Sequence, residues 1–214
     1  MPKKQSLIVN EIFCSRQGEG LRTGILTTFI RLAGCNLSCE WCDTKYASSG
    51  KEENLFEIIK QVKKFSAKEV SITGGEPLTQ KKGTIQLCKK LIKEGYYVSL
   101  ETNGSIDWEG IPKKVMISMD IKPPSSGMTL FNNFSLLKKL GKNDQVKIVI
   151  KDKKDYAYSN EILNKYSPQK LTTVILQPMG GINAKELWDL AQKDMRFRIM
   201  LQLHKVVWGT KRGI

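Results

Sequence analysis

Cys35, Cys39 and Cys42 stand close together in "RLAGCNLSCEWCDTKY" (31–46), in the order C-x3-C-x2-C. Thiolates are soft ligands that suit zinc or iron–sulfur clusters. A four-iron cubane takes four cysteines, one per iron, so three from one loop leave one iron open to a chelating small molecule. The amine and carboxylate of an amino acid form a five-membered chelate at such a corner, and S-adenosylmethionine (SAM) carries that group. An electron passed from the cluster would break the C5′–S bond and release a 5′-deoxyadenosyl radical that abstracts hydrogen. The cofactor would then supply the chemistry and the chain the positioning. A structural zinc site is the competing reading, but the single histidine, His204, lies far downstream, and zinc-knuckle-like loops draw a fourth ligand from nearby. Cys88 sits on the apolar stripe of a helical pattern and reads as core.

The elements that must hold this loop alternate along the chain. β-rich runs lie at 27–32, 69–73, 96–102, 114–120, 146–150, 173–177 and 197–202. Between them are amphipathic stretches at 53–65, 84–95, 155–168 and 184–193, the first with Leu55, Ile58, Ile59 and Val62 on one face. Strand–helix–strand alternation implies parallel strands with right-handed crossovers. The expected fold is α/β, a partial (open) TIM-like β/α barrel of about six to seven parallel strands in a single domain, 1–214. Chemistry in such folds sits at the C-terminal ends of the strands. There stand "GCNLSC", "GGEP", "NG", "KPPSS" and "QPMGG", and these loops would meet at one rim.

The 35 Lys and Arg outnumber the 21 Asp and Glu, for a net charge of +14. The lysines are scattered in pairs, without an Arg-rich tract or an aromatic–basic repeat. Solvated helix faces explain them first, and steering of a small anionic substrate second, so no direct nucleic-acid partner is expected. A basic, zinc-stabilised RNA-binding module is the reading outside the enzyme class. With neither a secretory h-region nor an apolar run of about 18 residues, a cytoplasmic, reducing location without membrane partners is expected.

C-x3-C-x2-C with Trp41 before its last cysteine resembles the radical SAM superfamily. "TGGEP" (73–77), at the end of the next strand, is similar to the superfamily motif that contacts the methionyl amine of SAM. The flanks narrow the resemblance. "EIFCSRQGEG" (11–20), "TGILTTFIRLAGCNLSCEWCDT", "SLETNGS" (99–105), "VILQPMGG" (174–181) and "LQLHKVVWG" (201–209) resemble the 7-carboxy-7-deazaguanine synthase family over nearly the whole chain. The resemblance implies ring contraction of 6-carboxy-5,6,7,8-tetrahydropterin to 7-carboxy-7-deazaguanine with loss of ammonia, in queuosine and 7-deazapurine biosynthesis. It further implies a [4Fe-4S] cluster, SAM, Mg2+, a homodimer and an electron donor such as a flavodoxin or ferredoxin. A glycyl-radical-enzyme activase would share the cluster motif, but "QGEG" and "QPMGG" speak against it.

The resemblance also assigns residues. Cys35, Cys39 and Cys42 would hold the cluster and Thr44 the Mg2+, a hard cation that needs oxygen ligands. SAM would be contacted by Trp41, Cys42 and Asp43, by Gly75, and by Gln177, Pro178, Met179 and Gly180. "SMDIKPPSS" (118–126) stands where some relatives carry Ser-Pro-Lys, which places further SAM contacts among Ser118, Met119, Asp120 and Lys122. Substrate would meet Arg16, Gln17, Gly18, Glu19 and Thr73, with Ile214 offering the terminal carboxylate. Arg31 presents a guanidinium fork suited to a substrate carboxylate. Glu101, at a strand end in "ETNG", is the expected proton acceptor, and His204 is placed to bond substrate.

Overall fold

The computed structural model describes residues 5–181, 184–209, 211 and 213; Ile214 lies outside them. Among the described residues one nine-stranded sheet organises the chain. Its order is β3 (Lys51–Asn54), β1 (Ser6–Arg16), β2 (Leu26–Leu32), β4 (Glu69–Gly74), β5 (Tyr97–Thr102), β6 (Met116–Ile121), β7 (Gln145–Ile150), β8 (Thr173–Pro178) and β9 (Arg198–Ile199). From β2 onward every pairing is parallel, so the β-rich runs of the sequence are the parallel strands. β3 and β9 form the two edges, and the barrel stays open.

The long first strand was not legible. β1 pairs antiparallel with both β2 and β3, and its register shifts between Val9 and Glu11. Such an irregularity breaks the two-residue alternation that marks a strand. β3 reads "KEEN" and carries no β signal, but an edge strand tolerates charged side chains. It takes over the start of the helix expected at 53–65. Helix α1 therefore spans Leu55–Val62, with the Asn54 side chain accepting from the N–H groups of Phe56 and Glu57.

Helices α2 (Lys81–Lys93), α3 (Lys153–Tyr166) and α4 (Ala184–Ala191) fill the other expected places. The run at 197–202 pairs only through Arg198–Ile199 and gives way to a short helix, α5 (Leu203–Trp208).

Successive strand residues face opposite sides of the sheet, and here the two sides differ in chemistry. Ile30, Leu32, Val70, Ile72, Val98, Leu100, Ile117, Met119, Val146, Ile148, Val174 and Leu176 join the buried apolar cluster with α1, α2 and α3 residues. Each such side chain contributes about 1.5–3 kcal/mol by leaving water. The residues alternating with them include Arg31, Ser71, Thr73, Ser99, Glu101, Ser118, Asp120, Lys147 and Gln177, with Ile175 as an apolar member, a largely polar inner face. A parallel strand buried on both sides is ordinarily apolar throughout. The polar row therefore makes this inner side the candidate site.

Candidate active site

The cysteine loop leaves β2 and lies against the loop after β4. A Cβ on Gly75 would stand 2.1 Å from the Gly34 carbonyl oxygen and 2.9 Å from Cys35 Cβ, so only glycine allows this approach. Cys35 is exposed, Cys42 half-buried and Cys39 buried, all as free thiols. Burial pushes the Cys39 thiol up against the pull of Lys122, and the Cys42 and Cys35 thiols add to the rise. Cys35 Sγ accepts from the Leu37 N–H at 3.4 Å and from Asn103 Nδ2 at 3.8 Å. The Thr44 hydroxyl lies 3.5 Å from Cys42 Sγ. Trp41 is pinned from behind: its indole N–H donates to Ser125 Oγ at 3.0 Å, and Ser125 donates to the buried Asp155 carboxylate.

Below the loop, the inner face carries a connected set of charges. Glu101 accepts from Gln17 Nε2 at 3.0 Å, Ser71 Oγ at 3.2 Å and Thr73 Oγ1 at 3.1 Å. Glu19 accepts from Lys147 Nζ at 2.6 Å and from Gln202 Nε2 at 2.8 Å. Burial opposes the Glu19 charge, yet Lys147 and His204 outweigh it and hold the carboxyl below its ordinary range. Asp120 is likewise held low, against burial, by Lys122 at 3.0 Å and Lys147 at 3.6 Å. Ser118 is tied to Gln145, whose Nε2 donates to it at 2.8 Å.

The final short helix closes the rim. His204 Nε2 lies 3.9 Å from Glu19 Oε1 and 4.0 Å from Asp43 Oδ2. Gly18 makes room for it, since a Cβ there would meet His204 Nδ1 at 2.6 Å. Lys205 Nζ reaches Asp43 at 2.9 Å. Burial opposes the Asp43 charge too, but His204 and Lys205 hold it far below the usual carboxylate range.

This geometry has close relatives. The chain is 39% identical over 201 residues to a 7-carboxy-7-deazaguanine synthase of Methanospirillum hungatei, covering 93% of this chain and 84% of that one. The chain belongs to the 7-carboxy-7-deazaguanine synthase family. A synthase of the same name from Thermoplasma acidophilum is 35% identical over 97% of this chain and the whole of its own length. Residues 29–120 match the radical SAM superfamily model, so this is an enzyme of radical SAM type. The crystal structure of QueE from Escherichia coli superposes with a TM-score of 0.77 at 23% identity, over 93% of this chain and 95% of that one, and shares the fold.

The residues present fit the cluster and SAM that a radical SAM synthase implies. Cys35, Cys39 and Cys42 are free thiols on one loop, and a cubane asks for separated sulfurs, one to each iron. Gln177 is fully buried at the end of β8, and both its amide oxygen and its amide nitrogen lack a partner among the described residues. A buried orphan of that kind costs about 1–3 kcal/mol, and a polar ligand at the β8 rim would satisfy it.

Other sequence-assigned residues fall less centrally. Arg16 is exposed, and its guanidinium donates to the Gly24 carbonyl at 2.9 Å, apart from the charged set. Met119 turns its side chain into the apolar core, so only its backbone is available to the rim. Pro178 ends β8 and Met179 begins the turn that carries Gly180; the Gly180 N–H donates to Gln202 at 3.1 Å. Arg31 spends Nε on Glu11 at 2.7 Å, and Glu11 also accepts from Tyr46 at 3.1 Å.

Lys147, Gln202, Gln145 and Asn103 were missed by sequence reasoning. Lys147 lies in "VKIVI", where a lone lysine reads as a solvent-facing strand position. The inner-face register, which pairs Asp120 with Lys147, carries the missing signal. A wide depression lined by Ile92, Tyr96, Lys113 and Asp144 opens instead by the N-terminal ends of β5 and β6, away from this set.

Proposed function

We propose that this chain converts 6-carboxy-5,6,7,8-tetrahydropterin to 7-carboxy-7-deazaguanine with loss of ammonia, using a [4Fe-4S] cluster, SAM and Mg2+. The observation that carries the reading is the contiguity of the three-cysteine loop with an inner face of paired acids and amides, in a chain similar to named synthases over nearly its full length. Cys35, Cys39 and Cys42 would hold the cluster, and Gly75, Gln177 and the turn at Gly180 would contact SAM. Hydrogen-atom abstraction is the chemistry that SAM supplies when bound at the cluster.

The chain's own groups do the rest. Glu101 is fixed by Gln17, Ser71 and Thr73 and serves as proton acceptor during the rearrangement. Glu19 accepts from the amine donors of the pterin edge. Arg31 keeps part of its fork for the substrate carboxylate, because its pairing with Glu11 uses Nε. Thr44 offers a hard oxygen beside the cluster loop, as Mg2+ requires. A reduced flavodoxin or ferredoxin supplies electrons, and two chains associate as a dimer.

The test is anaerobic incubation of the reconstituted chain with the carboxytetrahydropterin, SAM, Mg2+ and a reductant. Equal amounts of ammonia and deazapurine are expected. 5′-Deoxyadenosine without either product would refute the substrate assignment while leaving the radical SAM assignment intact.

A further inference from the structure

Lys147 has no place in the roles assigned above, yet its surroundings are unusual for a lysine. It projects from the middle of β7 onto the inner face, and its side chain is 6% exposed. Its ammonium is 2.6 Å from Glu19 Oε2 and 3.6 Å from Asp120 Oδ1. Burial works against the charge, but Asp120, Glu19 and Glu101 together keep it protonated. These partners come from separate elements: Glu19 from the segment after β1, Asp120 from β6 and Glu101 from β5.

An ammonium donates and never accepts. An ionised carboxylate offers about four lone-pair positions, and Glu19 uses two of them here, toward Lys147 and Gln202. The remaining ones are free to accept from a donor edge, such as the amino group and ring N–H of a pterin. With the cation removed, Glu19 would be a largely buried carboxylate supported only by the Gln202 amide and by His204 at 3.9 Å, and such a group takes up a proton or swings away.

We propose that Lys147 is the positioning residue of the substrate pocket, holding Glu19 ionised and aimed at the donor edge of the substrate heterocycle. This rests on the substrate reading above. A direct grip of Lys147 on the substrate carboxylate is the competing role, and the two separate cleanly.

The experiment measures equilibrium binding of carboxytetrahydropterin, and of tetrahydropterin lacking the carboxylate, to the SAM-loaded protein without reductant. Lys147→Met is expected to weaken both ligands by about tenfold to hundredfold, the worth of a hydrogen bond to a charged group. Lys147→Arg should recover most of the loss. In the Glu19→Gln background, Lys147→Met should add less than about threefold, because the two act as one unit. The double variant has no lone carboxylate at this pair and stands in for Lys147→Met if that single variant fails to accumulate. It too should bind both ligands about tenfold to hundredfold more weakly than the parent.

Loss confined to the carboxylated ligand would overturn the proposal in favour of a direct grip. So would additive effects of the two substitutions, or parental affinity in the double variant. A parent protein that binds neither ligand would refute the substrate reading instead.

Discussion

The backbone N–H of Asn103 donates to the Glu76 carboxylate at 2.6 Å, joining the loop after β5 to the loop after β4. Glu76 is fully buried and also accepts from Thr102 Oγ1 at 2.9 Å and from the Leu78 N–H at 2.9 Å. Asn103 in turn reaches Cys35 Sγ and Asn36 Oδ1. One carboxylate thus ties the glycine-rich loop to the loop that touches the cysteines. Burial pushes its carboxyl up, against the pull of these same donors.

Glu76→Ala leaves buried donors on Asn103, Leu78 and Thr102 unpaired, each costing about 1–3 kcal/mol. The variant is expected to lose about 3 kcal/mol or more of stability by denaturant unfolding, and to retain less iron after reconstitution. Unchanged unfolding would show that water replaces the carboxylate without cost.

Cys39→Ala should abolish four-iron cluster assembly, read as iron and sulfide per chain and by electron paramagnetic resonance after reduction. Cys88→Ala is the control. Its thiol is fully buried in the apolar cluster and pushed up to about 12 by burial, so it should keep full iron content. Equal iron loss in both variants would remove the special role of the loop.

Gln177→Leu exchanges an orphaned buried amide for an apolar group of similar size. The protein without SAM is expected to gain about 1–2 kcal/mol in stability, while SAM binds about tenfold more weakly. A less stable variant would mean that the amide is satisfied in solution.

Glu101→Gln keeps the volume and removes the charge that Gln17, Ser71 and Thr73 surround. Turnover should fall by about 10²–10⁴-fold, with a much smaller change in KM and no change in iron content. A KM effect alone would make Glu101 a binding group rather than a proton acceptor.

The inner-face charges also set a pH dependence. Glu19 and Asp120 are held low, so their stabilisation is present above the ordinary carboxylate value of about 4 and is lost as pH falls through their lower folded values. Lys147 is held high, so its contribution is present below about 10.4 and is lost as pH rises through its folded value. Thermal unfolding should show a plateau between these limits. Lys147→Met should shrink the alkaline fall, of which Lys122 carries the rest, and should also shrink the acid fall, because Glu19 and Asp120 lose part of what holds them low. An unaltered acid limb would separate Glu19 and Asp120 from Lys147.

The sequence by itself determined the parallel strands, the helices that cover them, the three-sulfur loop and the glycine-rich loop. Those features follow from periodicity and from spacing within one segment, where neighbours in the chain are neighbours in space. It left β1 unread because a register irregularity spoils the alternation, and β3 because an edge strand needs no apolar face. Only the tertiary structure decided which polar residues act together. Glu19, Asp120 and Lys147 lie far apart in the chain, and their pairing depends on strand register and on which face each residue presents. A charge far along the chain becomes a neighbour only once the sheet has folded, and so Lys147, which looked like one surface lysine among many, emerged buried between Glu19 and Asp120 on the inner face.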